Sequence, residues 1–207
     1  MKKVLITAGS TWMKIDDVRV ITNIFTGNTG VFIAKEMAKC GIAVTLLLNP
    51  ARVLKTPVSN NLKVMPFFYY HELKDLLMDV LKNEKFDLII HTAAVSDYRV
   101  KGKCTGKIAS GVKGMTLELL PVGKLIKTIR KECGDALLVQ FKLETDGKTI
   151  CDTAHDSLLK NKSDYVVANV LNDVLSDYKA NIIDKYKKIV SINSKKELVV
   201  KLIDLIR

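Results

Sequence analysis

Short apolar runs alternate with amphipathic segments along almost the whole chain, and this alternation constrains the fold more than any other feature. The first run, residues 2–8 (KKVLITA), ends at Gly9 and is typical of a buried strand. Residues 30–41 carry apolar side chains at helical spacing, and residues 42–50 form a second β-branched run. Strands that alternate with helices form parallel sheets, and right-handed crossovers place the helices on both faces. The sequence therefore predicts one doubly wound, mostly parallel, Rossmann-like α/β sheet in a single domain, residues 1–207.

The same patterns continue to the end of the chain. Ser194 and Glu197 are spaced as a capping box for a final helix. Residues 115–121 are interpreted as an edge strand, and residues 96–114 as a loop. Further strands are predicted at residues 61–67, 86–95, 136–144, 164–169 and 186–192, and further helices at residues 71–83, 122–133, 149–162 and 195–206.

Composition excludes several classes of protein. With 207 residues and 48% hydrophobic side chains, the chain can bury a full core. No apolar run approaches the roughly 20 residues that span a bilayer, and the first run is too short for a signal peptide. The four cysteines lie far apart without a CxxC pair, which argues against zinc and favours reduced thiols in the cytoplasm. We therefore expect a cytoplasmic protein without a membrane partner.

The net charge of +11 raises the question of nucleic-acid binding. The lysines are spread over the chain, however, and no basic block is interleaved with aromatic residues. We therefore predict no nucleic-acid partner. Anionic small molecules such as nucleotides and phosphorylated metabolites remain suited to a basic site.

Ligands of doubly wound sheets bind beyond the carboxyl ends of the strands, so residues that follow strands are candidates for the site. Gly9, Ser10 and Thr11 follow the first strand and could offer backbone and hydroxyl donors, although an ordinary turn would carry the same residues. Residues 26–30 (TGNTG) open the first helix, where exposed N–H groups bind anions. We therefore assign Thr26, Gly27 and Gly30 to an anion site.

An inserted loop separates these two glycine turns, so the stretch is neither the contiguous dinucleotide motif nor a phosphate loop with Gly-Lys-Ser/Thr. The second strand ends in Asn49 rather than in the acid that would hold a nicotinamide ribose. Within the loop, Arg19 could bind a carboxylate or phosphate, and Asn23 could hold an acyl group. Arg19 could equally pair with Asp16 or Asp17 and stiffen the loop.

A second candidate segment follows the strand that ends at His91. Ala93 and Ala94 are small enough for a flat ring to lie against the backbone, and Asp97 could hold a ribose hydroxyl or a metal ion, or cap a turn. Residues 99–114 are rich in Gly and Lys, as expected of a flap that closes over a polyphosphate or of a basic loop without function. Its lysines are Lys101, Lys103, Lys107 and Lys113, and Ile108 could anchor it.

Five motifs in one order resemble a known family. They are residues 6–30 (ITAGSTWMKIDDVRVITNIFTGNTG), 91–99 (HTAAVSDYR), 107–110 (KIAS), 140–146 (QFKLETD) and 161–169 (NKSDYVVAN). Together they resemble the phosphopantothenate–cysteine ligases, also called phosphopantothenoylcysteine synthetases. The forms FKL and KNKSDYVVAN look most like the stand-alone bacterial ligases.

This resemblance implies a ligase of coenzyme A synthesis. A nucleoside triphosphate, CTP in our prediction with ATP as the alternative, would activate the carboxylate of 4′-phosphopantothenate as an acyl-nucleotide. The amine of L-cysteine would then displace the nucleoside monophosphate. Mg²⁺ would accompany the polyphosphate. The family is usually dimeric, so a homodimer is expected.

The resemblance also assigns roles to individual residues. Asn23 would hold the carboxylate and the acyl-nucleotide, with Arg19 beside it, and Lys107 would contact the nucleotide phosphates and convert the intermediate. Ser10 replaces a family glycine, and Ser157 stands where related enzymes have a base-contacting lysine. The nucleotide would also contact Ala93, Ala94, Asp97, Gly123, Lys124, Leu125, Ile126 and Phe141, with Lys160 and Lys162 substituting for the lysine that is missing at Ser157.

Two other functions stay open on the residues alone. NAD(P)-dependent oxidoreductases have the same sheet architecture. The absence of the contiguous dinucleotide motif and of an acidic residue after the second strand argues against this function. A non-catalytic nucleotide-binding protein could also retain the fold. The three histidines are interpreted as structural, and only His91 lies at a strand end near the predicted site.

Overall fold

A computed structural model describes residues 1–53, 55–102, 105–111 and 113–207. Its helices are α1 (Asn28–Lys39), α2 (Tyr70–Asn83), α3 (Leu125–Glu132), α4 (Ile150–Asn161), α5 (Leu171–Leu175) and α6 (Lys195–Asp204). Its strands are β1 (Lys3–Ala8), β2 (Trp12–Lys14), β3 (Val20–Thr22), β4 (Ala43–Leu48), β5 (Leu62–Pro66), β6 (Leu88–His91), β7 (Tyr98–Val100), β8 (Leu119–Pro121), β9 (Leu137–Glu144), β10 (Tyr165–Val170), β11 (Ala180–Asp184) and β12 (Ile189–Ile192). In the described residues, no helix is both long enough and apolar enough to cross a membrane.

Eight strands form the central sheet, in the order β12-β11-β10-β9-β6-β1-β4-β5. The ladders from β5 to β10 are parallel, whereas β11 pairs antiparallel with both β10 and β12. Helices α1 and α6 pack on one face, and α2, α3 and α4 cover the other. The predicted doubly wound α/β fold is therefore confirmed.

The predicted capping of the last helix is also present. The Ser194 hydroxyl accepts a hydrogen bond from the Glu197 N–H at 3.1 Å, and the Glu197 carboxylate accepts one from the Asn193 N–H at 2.8 Å. In the capping-box motif the Glu197 carboxylate would accept from the N–H of Ser194, so here it bonds to the residue before the one that the motif specifies.

One predicted strand belongs elsewhere. The edge strand predicted at residues 115–121 forms only over Leu119–Pro121, as β8, and it pairs with β7 in a separate two-stranded sheet. The side chains of β7 and β8 are exposed or half-buried, so they lack the apolar face that packing beneath a helix would require.

The chain order of the strands creates a crevice. From β1 the chain passes to β4 and β5 on one side of the sheet, and then returns to place β6 and β9 on the other side. Crossovers that leave in opposite directions from adjacent strands open a space above their carboxyl ends. The switch point here lies between β1 and β6, and both candidate segments follow those strands.

Candidate functional site

A pocket of about 370 Å³ occupies this crevice. It lies over the carboxyl ends of β1, β6, β9 and β10 and is flanked by the first residues of α1 and α6. Its lining comprises Gly9, residues 24–30, 92–94 and 141–143, Asn169, Val174, Tyr178 and Lys195. The pocket therefore brings together Gly9, Thr26, Gly27, Gly30, Ala93, Ala94 and Phe141 from the predicted site.

The two glycine turns that are separate in sequence meet in space. Gly9 and Gly27 both have positive φ, 89° and 87°, and a Cβ on Gly27 would lie 2.6 Å from the Gly9 nitrogen. A Cβ on Gly30 would lie 2.6 Å from the Ala8 Cβ. The three glycines thus supply the tight turn, the close backbone approach and the helix–strand packing that a dinucleotide motif supplies contiguously. Residues 10–26 form an excursion of the chain that is inserted between Gly9 and Gly27.

The start of α1 is built to face an anion. Gly27 precedes the helix without a side-chain cap, and the first turn contains no acidic residue. The N–H groups of a first helical turn have no partner within the helix, and the helix dipole adds partial positive charge there. Because residues 26–30 line the pocket, these donors suit a phosphate or carboxylate.

Ser10 and Thr11 lie beside the pocket but are not among its lining residues. The buried Ser10 hydroxyl donates to the Phe25 carbonyl at 2.7 Å. The buried Thr11 hydroxyl accepts from the Ser96 N–H at 2.8 Å and donates to the Ser96 hydroxyl at 3.1 Å. Both hydroxyls therefore hold neighbouring loops in place.

Asn23 lies at the edge of the pocket. Its side-chain amide donates to the carbonyl oxygen of Ala94 at 3.2 Å, and Ile24 already belongs to the lining. Since Ala94 follows β6, this bond fixes the return of the inserted loop to the sheet. Asn23 therefore lies beside the part of the pocket wall that Ala94 forms.

Arg19 lies at the other end of the inserted loop and pairs with Asp16, as one of the two sequence interpretations proposed. Its guanidinium is 2.8 Å from the buried Asp16 carboxylate and 3.3 Å from the Ile108 carbonyl. Burial raises the pKa of Asp16, but hydrogen bonds from the Val18, Ile108 and Arg19 N–H groups and the charge of Arg19 outweigh it, so the net pKa lies below its ordinary value.

The same loop holds the flap. Asp16 accepts from the Ile108 N–H at 3.1 Å, and Asp17 accepts from the Gly106 N–H at 2.6 Å. Asp17 also pairs with Lys14 at 2.6 Å, which lowers the pKa of Asp17. Lys107 is therefore fixed through its neighbours' backbones, while its own side chain is exposed and outside the pocket lining. Lys103 of the predicted flap lies outside the described residues.

The predicted nucleotide contacts around α3 form a separate group. The Asp97 carboxylate pairs with Lys124 at 2.5 Å, and the Gly123 carbonyl accepts from the Tyr70 hydroxyl at 2.7 Å. Leu125 and Ile126 start α3 with buried side chains that pack in the core beneath α2. The structure does not bring these side chains into the pocket.

Lys160 and Lys162 lie at the amino ends of the strands, on the side of the sheet away from the pocket. Helix α4 runs antiparallel to β9 and β10, so its last turn lies near the beginning of β9, where the Asp164 N–H bonds to the Leu138 carbonyl. The structure therefore does not bring these lysines to the pocket. Ser157 lies on α4 with its hydroxyl 3.1 Å from the Gln140 amide.

The sequence analysis missed the lining residues that come from the last part of the chain, namely Asn169, Val174, Tyr178 and Lys195, as well as Ile24, Phe25, Asn28, Thr29, Thr92, Lys142 and Leu143, which neighbour residues it selected. Asn169 closes the motif at residues 161–169, so the rule that ligands bind at strand ends could have selected it. Tyr178 follows a segment with no assigned element, and Lys195 was assigned only to a helix. Their proximity depends on the antiparallel edge of the sheet.

His91 supports the pocket from beneath. The Thr7 hydroxyl oxygen lies 2.8 Å from His91 Nδ1 and accepts from the Ala93 N–H at 3.3 Å. Burial lowers the pKa of His91 to about 4, so the ring is neutral, and its hydrogen bond with Thr7 fixes the ring orientation.

The fold and the pocket define a Rossmann-like domain with a crevice at its switch point. The family model described as "DNA/pantothenate metabolism flavoprotein C-terminal domain" matches residues 1–207, and the chain belongs to this family. The family recognition drawn from the five motifs is thereby confirmed.

Known relatives agree with this assignment. The chain is 38% identical over 172 residues to the coenzyme A biosynthesis bifunctional protein CoaBC of Thermococcus kodakarensis, covering 82% of this chain and 41% of the relative. The crystal structure of the DNA/pantothenate metabolism flavoprotein of Streptococcus pneumoniae has a TM-score of 0.88 at 26% identity, with 99% and 97% of the two chains covered. A C-terminal domain of CoaBC has a TM-score of 0.80 at 26% identity, with 98% and 92% covered. The chain spans 41% to 54% of the length of the first curated relatives it matches.

Proposed function

We propose that this chain is a phosphopantothenate–cysteine ligase that uses CTP. The observation that carries the proposal is the pocket in which two glycine turns and the end of β6 converge beside Asn23. The similarity to proteins named for coenzyme A biosynthesis supports the pathway, and the match to C-terminal domains supports one of their two activities. CTP is favoured over ATP by the resemblance of the motifs to bacterial members.

In the proposed reaction, a carboxylate oxygen of 4′-phosphopantothenate attacks the α-phosphorus of CTP. An acyl–phosphate bond forms and pyrophosphate leaves. The cysteine amine, after losing a proton, then attacks the acyl carbon, so that a C–N bond forms and CMP leaves. Positioning and charge neutralisation supply such catalysis without a protein nucleophile.

The chain's own groups have separate roles in this scheme. Backbone N–H groups at the start of α1 would bind phosphate oxygens of the nucleotide, and Ala93 and Ala94 would lie against it. Asn23 would hold the pantothenate carboxylate at the pocket edge. Lys107, on a flap tied to the Arg19 loop, would offer its exposed ammonium to the charge that develops on the phosphates.

Mg²⁺ fits this scheme as an ion carried by the nucleotide. The donors at the start of α1 are N–H groups, which bind anions, and no group of three or more His, Cys, Asp or Glu side chains in the described residues is arranged around a common point. Asp97 is paired with Lys124, so binding a metal would require breaking that pair. When bound, Mg²⁺ would neutralise polyphosphate charge as pyrophosphate leaves.

The test is an end-point assay with CTP or ATP, phosphopantothenate and cysteine. We expect pyrophosphate and CMP only when phosphopantothenate is present, and the ligated product only when cysteine is added. Asn23→Asp should lose acyl-nucleotide formation, because a carboxylate repels the substrate carboxylate that the amide would hold. The absence of turnover with either nucleotide would refute the ligase proposal.

We further propose a homodimer. Tyr98, Met115 and Leu119 are large apolar side chains exposed on and beside the β7–β8 sheet, which supports an interface there. Light scattering should give twice the chain mass, and Leu119→Glu should give a monomer. A monomeric parent protein would refute this assembly.

A further inference from the structure

A short turn after β4 contacts both ends of the inserted loop. Asn49 follows the last residue of β4 and is 4% exposed, and its side-chain amide donates to the Ser10 carbonyl at 2.6 Å. A single 3₁₀ turn, Pro50–Arg52, comes next, and the Arg52 guanidinium donates to the Ile24 carbonyl at 3.0 Å. Because Ser10 begins the inserted loop and Ile24 lies at its return to the sheet, residues 49–52 hold the loop at both ends.

The position of Asn49 is itself fixed by the chain around it. Its backbone N–H donates to the Ala8 carbonyl at 3.0 Å, and its side-chain oxygen accepts from the Ala51 N–H at 3.0 Å. Gly9 allows this close approach, because a Cβ on Gly9 would lie 2.9 Å from the Asn49 Cβ. In dinucleotide-binding sheets, an acidic residue at this strand end binds a ribose hydroxyl. Here the buried Asn49 amide binds the protein instead, so this strand end holds a loop.

The segment that carries Asn23 is held from two sides. On one side, the Arg52 guanidinium lies 3.5 Å from the Asn23 carbonyl, and the Ser10 hydroxyl donates to the Phe25 carbonyl at 2.7 Å. On the other side, the Asn23 amide donates to the Ala94 carbonyl at 3.2 Å. These contacts fix both the main chain and the side chain of Asn23. The amide keeps one N–H and its oxygen for a ligand.

Asn23 depends on these hydrogen bonds because burial does not fix it. The residue is exposed and lies in an insertion rather than in a strand or helix. A group on a loose loop must be ordered when substrate binds, and that ordering weakens binding. A small displacement of a positioning group also lowers the rate, even when its cause lies away from the reacting atoms. Residues 49–52 order this part of the loop before the substrate arrives.

We propose that Asn49 and Arg52 are positioning residues of the ligase reaction, which hold Asn23 where it meets the carboxylate of phosphopantothenate. This inference rests on the proposed function. It deepens that function by naming the residues that set the position of the substrate-binding amide. Neither residue is among the described residues that line the pocket, so both act through the inserted loop.

The test compares the parent protein with Arg52→Met, which removes the guanidinium and keeps an unbranched apolar stem. Asn49→Asp is the second variant, because it retains the acceptor for the Ala51 N–H and loses the donor to the Ser10 carbonyl. The Arg52 side chain is exposed, so its variant should fold even if Asn49→Asp does not. Arg207→Met is the matched control, since Arg207 is exposed, pairs with Asp204 and lies at the amino ends of the strands.

Two measurements separate order from catalysis. Hydrogen exchange, read by mass spectrometry on peptides that cover residues 20–27, reports how firmly the return of the loop is held. Steady-state release of pyrophosphate gives kcat and KM for phosphopantothenate, CTP and cysteine. The same assay on Asn23→Ala, with and without Arg52→Met, shows whether the two residues act together.

We expect Arg52→Met to speed exchange at residues 23–26 and to raise KM for phosphopantothenate by about three- to tenfold, as for the loss of one hydrogen bond. KM for CTP and for cysteine should not change. Asn49→Asp should have larger effects of the same kind, because its hydrogen bond is buried, and Arg207→Met should have none. Added to Asn23→Ala, Arg52→Met should not lower kcat/KM for phosphopantothenate further, because its effect passes through Asn23.

Three results would overturn the inference. They are parent-like exchange at residues 23–26 in Arg52→Met, an equal rise in KM for CTP, and a loss that adds in full to that of Asn23→Ala, which would mean that Arg52 contacts the substrate itself. The ligase proposal fails separately. A parent protein without turnover, whose residues 23–26 exchange faster in Arg52→Met, would refute the ligase and support the hold on the loop. A parent protein that ligates while Arg52→Met behaves like it would do the reverse.

Discussion

Replacing His91 with asparagine should flatten the dependence of folding stability on acid pH. The folded-state pKa of His91 is about 4 because of burial, against an ordinary value of 6.5. Between these two pH values the unfolded chain binds a proton on His91 that the folded chain does not bind. His91 therefore does not lower the free energy of unfolding above pH 6.5, and it lowers it increasingly as the pH drops towards 4. The gap between the two pKa values corresponds to a loss on the order of 3 kcal/mol in the free energy of unfolding.

The His91→Asn variant would lack this titration while keeping a side-chain amide that can hydrogen-bond with the Thr7 hydroxyl. Urea unfolding at several values from about pH 7.5 to about pH 4 would give the free energy of unfolding for parent and variant. Carboxylates titrate in both proteins, so their contributions cancel in the difference. That difference should shift in favour of the variant by several kcal/mol over this range.

His155→Gln is the control, because the half-buried His155 lies away from the pocket and makes one hydrogen bond among the described residues, with the Lys185 carbonyl at 3.2 Å. It should follow the parent curve. Parallel pH profiles for the parent and His91→Asn would refute the neutral, Thr7-bonded state of His91.

Three further perturbations test other parts of the site. Gly27→Ala should lower the free energy of unfolding, measured in urea, by about 1–3 kcal/mol, because it combines a positive φ with a clash against Gly9. Gly41→Ala is the control and should cost less, because Gly41 has a φ of 79° but open space around it. Asp16→Asn should lower the free energy of unfolding, because it removes the charge that pairs with Arg19, and should speed proteolysis within the flap; unchanged cleavage would mean that Asp16 does not hold the flap. Lys107→Gln should leave the melting temperature unchanged and let the acyl-nucleotide accumulate in a quenched assay, and parent-like turnover would remove Lys107 from the mechanism.

Elements buried on both faces were predictable from sequence. The runs that form β1, β4 and β6 are nearly continuous in apolar residues because helices cover both sides of them. β11 was missed because its sequence, ANIID, is short and becomes a strand through antiparallel pairing with β10 and β12. Such pairing depends on tertiary context more than on local pattern.

The site divides along similar lines. Strand-end rules located Gly9 and Ala93, because the position of a strand's carboxyl end follows from the order of the elements. The family resemblance supplied Phe141. Lys160 and Lys162 were chosen for their proximity in sequence to a motif position. The direction of α4 places them at the amino ends of the strands, away from the pocket. One lysine of a helix can be predicted to replace another only when the direction and the faces of that helix are known.

The inserted loop between the glycine turns makes contacts with both the flap and the pocket that the sequence could not reveal. Residues 10–26 fold as the β2–β3 hairpin, whose Trp12 ring packs 5.0 Å from Phe68 at the hairpin base. One end of this excursion carries Asn23 at the pocket edge, and its tip holds the flap through Asp16 and Asp17. Since a hairpin is stiffer than an open loop, a displacement of the flap should be transmitted to Asn23. The insertion that breaks the dinucleotide motif thus joins the flap to the pocket, while Gly9 and Gly27 preserve the geometry of the turn.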